Sequence, residues 1–152
     1  MADKPFAELV GSIINNCGVL EFFIYNTIKS LSKDPILFNE LVNHKSIPSR
    51  LRILRQVLQR AGRLTPELES LISEIRKIME ERNLIAHNPI GSDDALWTNP
   101  YVLVVKHDTG FPPQMEKLDR IRLDAIAERS RSAMAEFLRL LPGAIQLEPF
   151  KV

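Results

Sequence analysis

Three residues of this 152-residue chain combine chemical capacity with suggestive spacing: Arg82, Asn83 and His87. Asn83 and His87 are four apart, so any helix that holds both puts them on one face. An arginine presents a planar five-donor fork that matches phosphate. An imidazole gives or takes a proton near neutral pH, and a carboxamide can orient a hydroxyl or a phosphate oxygen. Such a set suits in-line attack of a ribose 2′-hydroxyl on the neighbouring phosphate. His87 would act as general base or acid and Arg82 would stabilise the developing charge. That chemistry calls for no metal and no cofactor. The competing assignment is a helix end that caps itself and pairs buried charges.

Arg82 also stands where its residue type does not belong. Its angle around a helix falls within the spread of Leu71, Ile75, Ile78 and Met79, on the core side. A guanidinium there is costly unless it is paired and hydrogen-bonded. Glu21 intrudes in the same way on an earlier apolar stripe, between Cys17 and Ile24. Glu21 is therefore a candidate structural support for Arg82; otherwise both side chains snorkel out from helix edges.

The string Glu81-Arg82-Asn83-Leu84-Ile85-Ala86-His87 resembles the signature of the HEPN superfamily (higher eukaryotes and prokaryotes nucleotide-binding). That signature is an arginine, commonly followed by a polar residue, with a histidine four to six residues later. Gly18-Val19-Leu20-Glu21 also looks like the start of bacterial members. The resemblance covers about residues 6–87 and 118–141. It implies a helical bundle forming a homodimer, with two Arg…His motifs facing each other across a shared cleft. It further implies metal-independent RNA cleavage that leaves a 2′,3′-cyclic phosphate. Proteins of this kind serve as toxins, under a protein antitoxin or other regulator, or as phage-defence effectors. The catalytic set it implies here is Arg82 and His87, with Asn83 assisting. Arg82 and His87 diverge by about 140° around one ideal helix, so a two-fold pairing assembles a site more easily than one chain does. Pro89 stands where some toxin members carry a tyrosine modified by a partner nucleotidyltransferase, so that form of control is not implied. Other members keep the fold as non-catalytic dimeric modules that bind nucleotide, nucleic acid or a protein partner, and this is the alternative reading.

The elements that must carry these residues are helices. At about 100° per residue, Phe6, Val10, Ile13, Cys17, Leu20, Ile24, Ile28 and Leu31 form one stripe. Asp34-Pro35 predicts a short second helix ending near Asn43. A third spans Pro48 to Ala61 and stops at Gly62, burying Leu51, Leu54, Val57, Leu58 and Ala61. Thr65-Pro66-Glu67 is the clearest helix start, with an N-cap hydroxyl, proline at N1 and an acid in the first turn. The helix it opens should bury Leu68, Leu71, Ile72, Ile75, Ile78 and Met79 and end near His87, because Pro89 follows. Residues 88–117 break the pattern, and Tyr101–Val105 with a turn at Asp108-Thr109-Gly110 predicts a short hairpin. A last helix, Asp119–Leu141, should bury Leu123, Ile126, Ala127, Met134, Phe137, Leu138 and Leu141. The expected fold is all-α: one domain over residues 1–152, a four- to five-helix bundle with a long loop or short β-hairpin inserted before the last helix. An insertion of that length exceeds what compact domains carry without a use.

Composition sets the outer bounds. Hydrophobic residues at 45% and charged residues at 26% exclude wholesale disorder. A formal net charge of +1 argues against a dedicated, strongly basic nucleic-acid binder while permitting a local basic site. Residues 45–63 supply one, with Lys45, Arg50, Arg52, Arg55, Arg60 and Arg63 and no acid. Arg52, Arg55, Arg60 and Arg63 are candidate RNA-backbone contacts; the alternative is a solvated helix face balanced by Glu67, Glu69, Glu74, Glu80 and Glu81. The single cysteine, Cys17, excludes an internal disulfide and a multi-thiolate zinc site. His44 and His107 lack metal-ligand spacing, and Asp93-Asp94 reads as a solvated pair. Trp97, Tyr101 and Phe111 either stack a base or pin the insertion to the bundle. No secretory leader is recognisable, and Asn15, Asn16, Glu21 and Lys29 interrupt the best apolar run. The expectation is a cytoplasmic protein with RNA as substrate and no membrane partner.

Overall fold

Thr65 Oγ1 accepts a hydrogen bond from the backbone N–H of Leu68 at 3.3 Å, and the helix marked by Thr65-Pro66 begins there as expected. A computed structural model of the chain describes residues 5–32, 42, 45–88, 90–92, 100–104 and 114–145. Among them are four packed helices: α1 (Phe6–Leu31), α2 (Ile47–Arg60), α3 (Pro66–His87) and α4 (Arg120–Leu140). Three short strands, β1 (Ile90–Ser92), β2 (Pro100–Val104) and β3 (Gln114–Lys117), lie between α3 and α4, and a 3₁₀ turn, Pro142–Ile145, follows α4. The fold is all-α with its strands confined to the stretch before the last helix, as the periodicity predicted. The short helix expected at residues 35–43 lies outside the described residues, Val42 apart. So do the predicted turn at residues 108–110, His44, His107, Asp93, Asp94, Trp97 and Phe111.

The chain divides into two compact units. The first comprises residues 1–17 and 78–131. Its core is Leu9, Ile13 and Cys17 from α1, Ile78, Met79 and Ile85 from α3, and Leu123, Ile126 and Ala127 from α4, with Val102 and Leu118. Asn16 belongs to the same unit: its Nδ2 donates to Ser130 Oγ at 2.9 Å, and that hydroxyl donates to the Ala127 carbonyl at 2.8 Å. A polar side chain that seemed only to interrupt an apolar run thus meets a fully buried hydroxyl, giving each a partner away from water. The strands form an antiparallel sheet in the order β1-β2-β3. Val102 pairs with Ile90 on one side and Glu116 on the other. The third strand, β1, was not expected, because three residues are too few to show an alternation.

The second unit comprises residues 18–77 and 132–152. Leu20, Phe23, Ile24 and Ile28 of α1, Leu51, Leu54 and Leu58 of α2, Leu68, Leu71 and Ile75 of α3, and Ala133 and Phe137 of α4 are buried in it. The Phe23 and Phe137 rings lie 5.8 Å apart at 34°. At the end of α2, Gly62 takes a φ of 66°. The Arg63 N–H then reaches the Leu58 carbonyl and the Gly62 N–H the Gln59 carbonyl. Those two bonds satisfy carbonyls the helix leaves unpaired, and glycine enters that conformation without the Cβ penalty.

Several expectations need correction. Ala61 is exposed beyond the helix end, and Phe6, Val10, Leu31, Val57, Ile72, Met134 and Leu138 are half-buried. Leu9, Phe23, Ile85 and Ala133 are core residues outside the expected sets, because the buried stripes are wider than one residue per turn. Despite its polar interruptions, α1, with 26 residues and a mean hydropathy of 1.3 in its most apolar window, is long and apolar enough to cross a membrane. Of that window, 33% is buried, and Ile13, Cys17, Leu20, Ile24 and Ile28 are among the buried residues of the helix.

Phe137→Ala should cost about 3–5 kcal/mol by removing a buried ring and leaving a cavity, read as a lower urea midpoint. The carboxyls of Glu69 and Glu136 are held below their ordinary value of 4.5 by hydrogen bonds from Arg55 and Arg139. A folded pKa below the unfolded one means stability that is present above about pH 4.5 and is lost as pH falls through the lower folded value. The urea midpoint should therefore drop on acidification from about pH 5 towards 3, and Glu69→Gln should flatten part of that drop.

Candidate functional site

The motif occupies the last two turns of α3, in the first unit. Arg82 is half-buried. Its Nη1 donates to Asn83 Oδ1 at 2.9 Å, while its Nε is a buried atom with no hydrogen bond. Asn83 is half-buried and His87, the last residue of α3, is exposed. One turn separates Asn83 from His87 on the same side of the helix. The structure therefore joins arginine to carboxamide directly and sets the imidazole at the open end of the face that Asn83 occupies. The Asn88 side chain donates to the Leu84 carbonyl at 2.9 Å, occupying one of the carbonyls a helix end leaves unpaired. Glu21 is half-buried on α1, in the second unit.

What holds the motif's helix is a set of residues that the sequence reading missed. Glu81, immediately before Arg82, accepts from Arg122 Nη2 at 2.7 Å and from Nε at 3.2 Å. The same guanidinium uses Nη1 to reach Glu116 Oε2 at 3.2 Å and the Lys117 carbonyl at 3.1 Å. Arg122 thus links α3, β3 and α4. Burial alone would lower its pKa; the hydrogen bonds to Glu81 and then Glu116 outweigh that and leave it raised. Asp119 caps α4 by accepting from the Arg122 N–H at 2.9 Å. That bond, followed by Lys117, lowers the Asp119 carboxyl below its ordinary value. One signal for Arg122 was present in the sequence. The first turn of α4 contains no acid, and a cation beside a helix N-terminus is unfavourable unless something compensates it.

The arginines of residues 45–63 separate into two groups. Arg55 is held by Glu69, with Nε 2.9 Å from both carboxylate oxygens and Nη2 2.6 Å from one. Arg52 lies exposed one turn earlier, and Arg60 and Arg63 are exposed at and beyond the end of α2. Tyr101 is placed by its backbone pairing with Gly91 and Lys117. Among the described residues no three His, Cys, Asp or Glu side chains converge as a metal site would require.

In comparisons with known proteins, no family model, no curated protein and no solved structure matches this chain.

Arg122→Ala should strip Glu81 and Glu116 of their shared cation and cost about 2 kcal/mol. Arg122 and Glu81 are only about one-third exposed, so the loss of that pair exceeds that of a surface ion pair, while Glu116, at 43%, adds less. A fall in the urea midpoint at neutral pH checks this; an unchanged midpoint would show that the link contributes nothing.

Proposed function

We propose that this chain is a HEPN-like, homodimeric, metal-independent endoribonuclease, acting as a toxin or phage-defence effector. The observation that carries the reading is the 2.9 Å Arg82–Asn83 bond placed one turn below an exposed His87. In the proposed reaction the ribose 2′-oxygen attacks phosphorus and gives up its proton to a base. The bond from phosphorus to the 5′-oxygen breaks and that oxygen takes a proton from an acid. The products are a 2′,3′-cyclic phosphate and a 5′-hydroxyl. His87 serves as base or acid, Arg82 faces the charge growing on the phosphoryl oxygens, and Asn83 orients Arg82.

A second copy enters because Arg82 and His87 diverge by about 140° around α3. Two motifs meeting at a two-fold axis bring the arginine of one chain near the imidazole of the other. A face of α1 suits such a contact. Gly11, Ile14, Gly18 and Phe22 recur on it at helical spacing. Ile14 and Phe22 are exposed large apolar side chains, and nothing lies within 4 Å of where a Cβ on either glycine would stand.

Purified protein in EDTA should cleave mixed RNAs to fragments ending in cyclic phosphate. His87→Ala should lower the rate by about 10²-fold or more, with unchanged dimer mass by sedimentation. Equal cleavage by both proteins would remove His87 from the chemistry. A dimer that binds RNA or nucleotide without cutting would favour the non-catalytic module.

A further inference from the structure

In the second unit, α2 and α3 border an open cleft of about 510 Å³ that contains three guanidinium groups, those of Arg52, Arg55 and Arg76. Glu69 is the one carboxylate residue among those lining the cleft. Glu69 is already committed to Arg55 through Nε and Nη2. It therefore fixes the Arg55 fork in place while leaving Nη1 with no bond among the described residues. Arg52, three positions earlier on α2, forms no ion pair among the described residues and is exposed. The hydroxyls of Ser49 and Ser73 lie on the same walls, and the first turn of α2 contains no acid. Every polar group here except Glu69 can donate a hydrogen bond. The volume is that of a small-molecule site, larger than one phosphate needs.

We propose that this cleft is a phosphate-binding site, taking the phosphate of a nucleotide or of a single-stranded RNA. A pre-oriented guanidinium beside a second, uncommitted one supplies paired donors to the oxygens of one phosphate. Arg76 adds charge from the opposite helix, and the serine hydroxyls donate to the remaining oxygens. The proposal names a narrower set than the basic run as a whole: Arg60 and Arg63 are not part of it, and Arg76 is. It holds whether or not the chain cleaves RNA, so its failure and that of the nuclease reading are separable.

The test uses the full chain with His87→Ala, so that RNA survives, and three probes: a fluorescently labelled short oligouridylate, AMP and inorganic phosphate. The comparison is Arg52→Gln/Arg76→Gln in the same background, with thermal melting as the check on folding. The expected result is about 10- to 100-fold weaker oligouridylate binding, with a log–log salt slope shallower by about one to two. Arg60→Gln/Arg63→Gln should change binding much less. Displacement of the RNA by AMP would support the site and assign it to a mononucleotide; indifference to AMP and phosphate would support it and assign it to a strand. Unchanged binding in the Arg52/Arg76 variant, or no binding of any probe by the parent, would overturn the proposal. So would competition by poly-glutamate as effective as that by RNA, which would mark a surface for acidic protein instead.

Discussion

The half-buried guanidinium of Arg122 is the tie on which the surroundings of the motif depend. The chain leaves α3 at His87, passes through three short strands and returns as α4. Nothing local obliges that excursion to return beside the helix it left. Arg122 supplies the obligation by binding Glu81 on α3, Glu116 on β3 and the carbonyl of Lys117. Because the group is partly removed from water, each acceptor offsets desolvation that would otherwise destabilise it. The neighbouring Asp119 cap holds the backbone N–H of Arg122. Glu81 is adjacent in sequence to Arg82, so the residue that secures the insertion also secures the turn that presents the motif.

α3 is the other organising element, bounded at both ends by local chemistry. Thr65 satisfies one of its first amides, and Asn88 satisfies a carbonyl near its end. Its first half bears Glu69, Ile72, Ser73 and Arg76 at the arginine-lined cleft, and its last turns bear Arg82, Asn83 and His87. A net charge of +1 conceals this uneven distribution. Glu69 neutralises Arg55, while Arg52 three residues away has no carboxylate among the described residues. Attraction of an anion to Arg52 would be screened by salt over about 8–10 Å.

The helical frame was legible because its signals act within one or two turns. Thr65-Pro66, Gly62 and Pro142 mark boundaries that agree with the observed elements to within a residue. The apolar stripes located most of the core, yet they missed Leu9, Phe23 and Ile85, which are buried at positions beside the stripes. Asn16 was read only as a polar interruption. Its partner, Ser130, is 114 residues away, and no property of either residue names the other. The arginine, carboxamide and imidazole were identified from type and spacing, while the bond between Arg82 and Asn83 became visible only with side-chain geometry.

By itself, then, the sequence determined the all-α class, the ends of the principal helices and the presence of Arg82, Asn83 and His87 at the close of one of them. Each of these follows from backbone sterics, capping or helical period, forces that depend on residues a few positions apart. Tertiary structure alone decided which charges meet. Arg122 reaches Glu81 across 41 residues and Arg55 reaches Glu69 across 14, and Arg76 joins Arg52 at a cleft that neither helix forms alone. Charge pairing depends on distance through space, and that distance exists only once the apolar faces have packed.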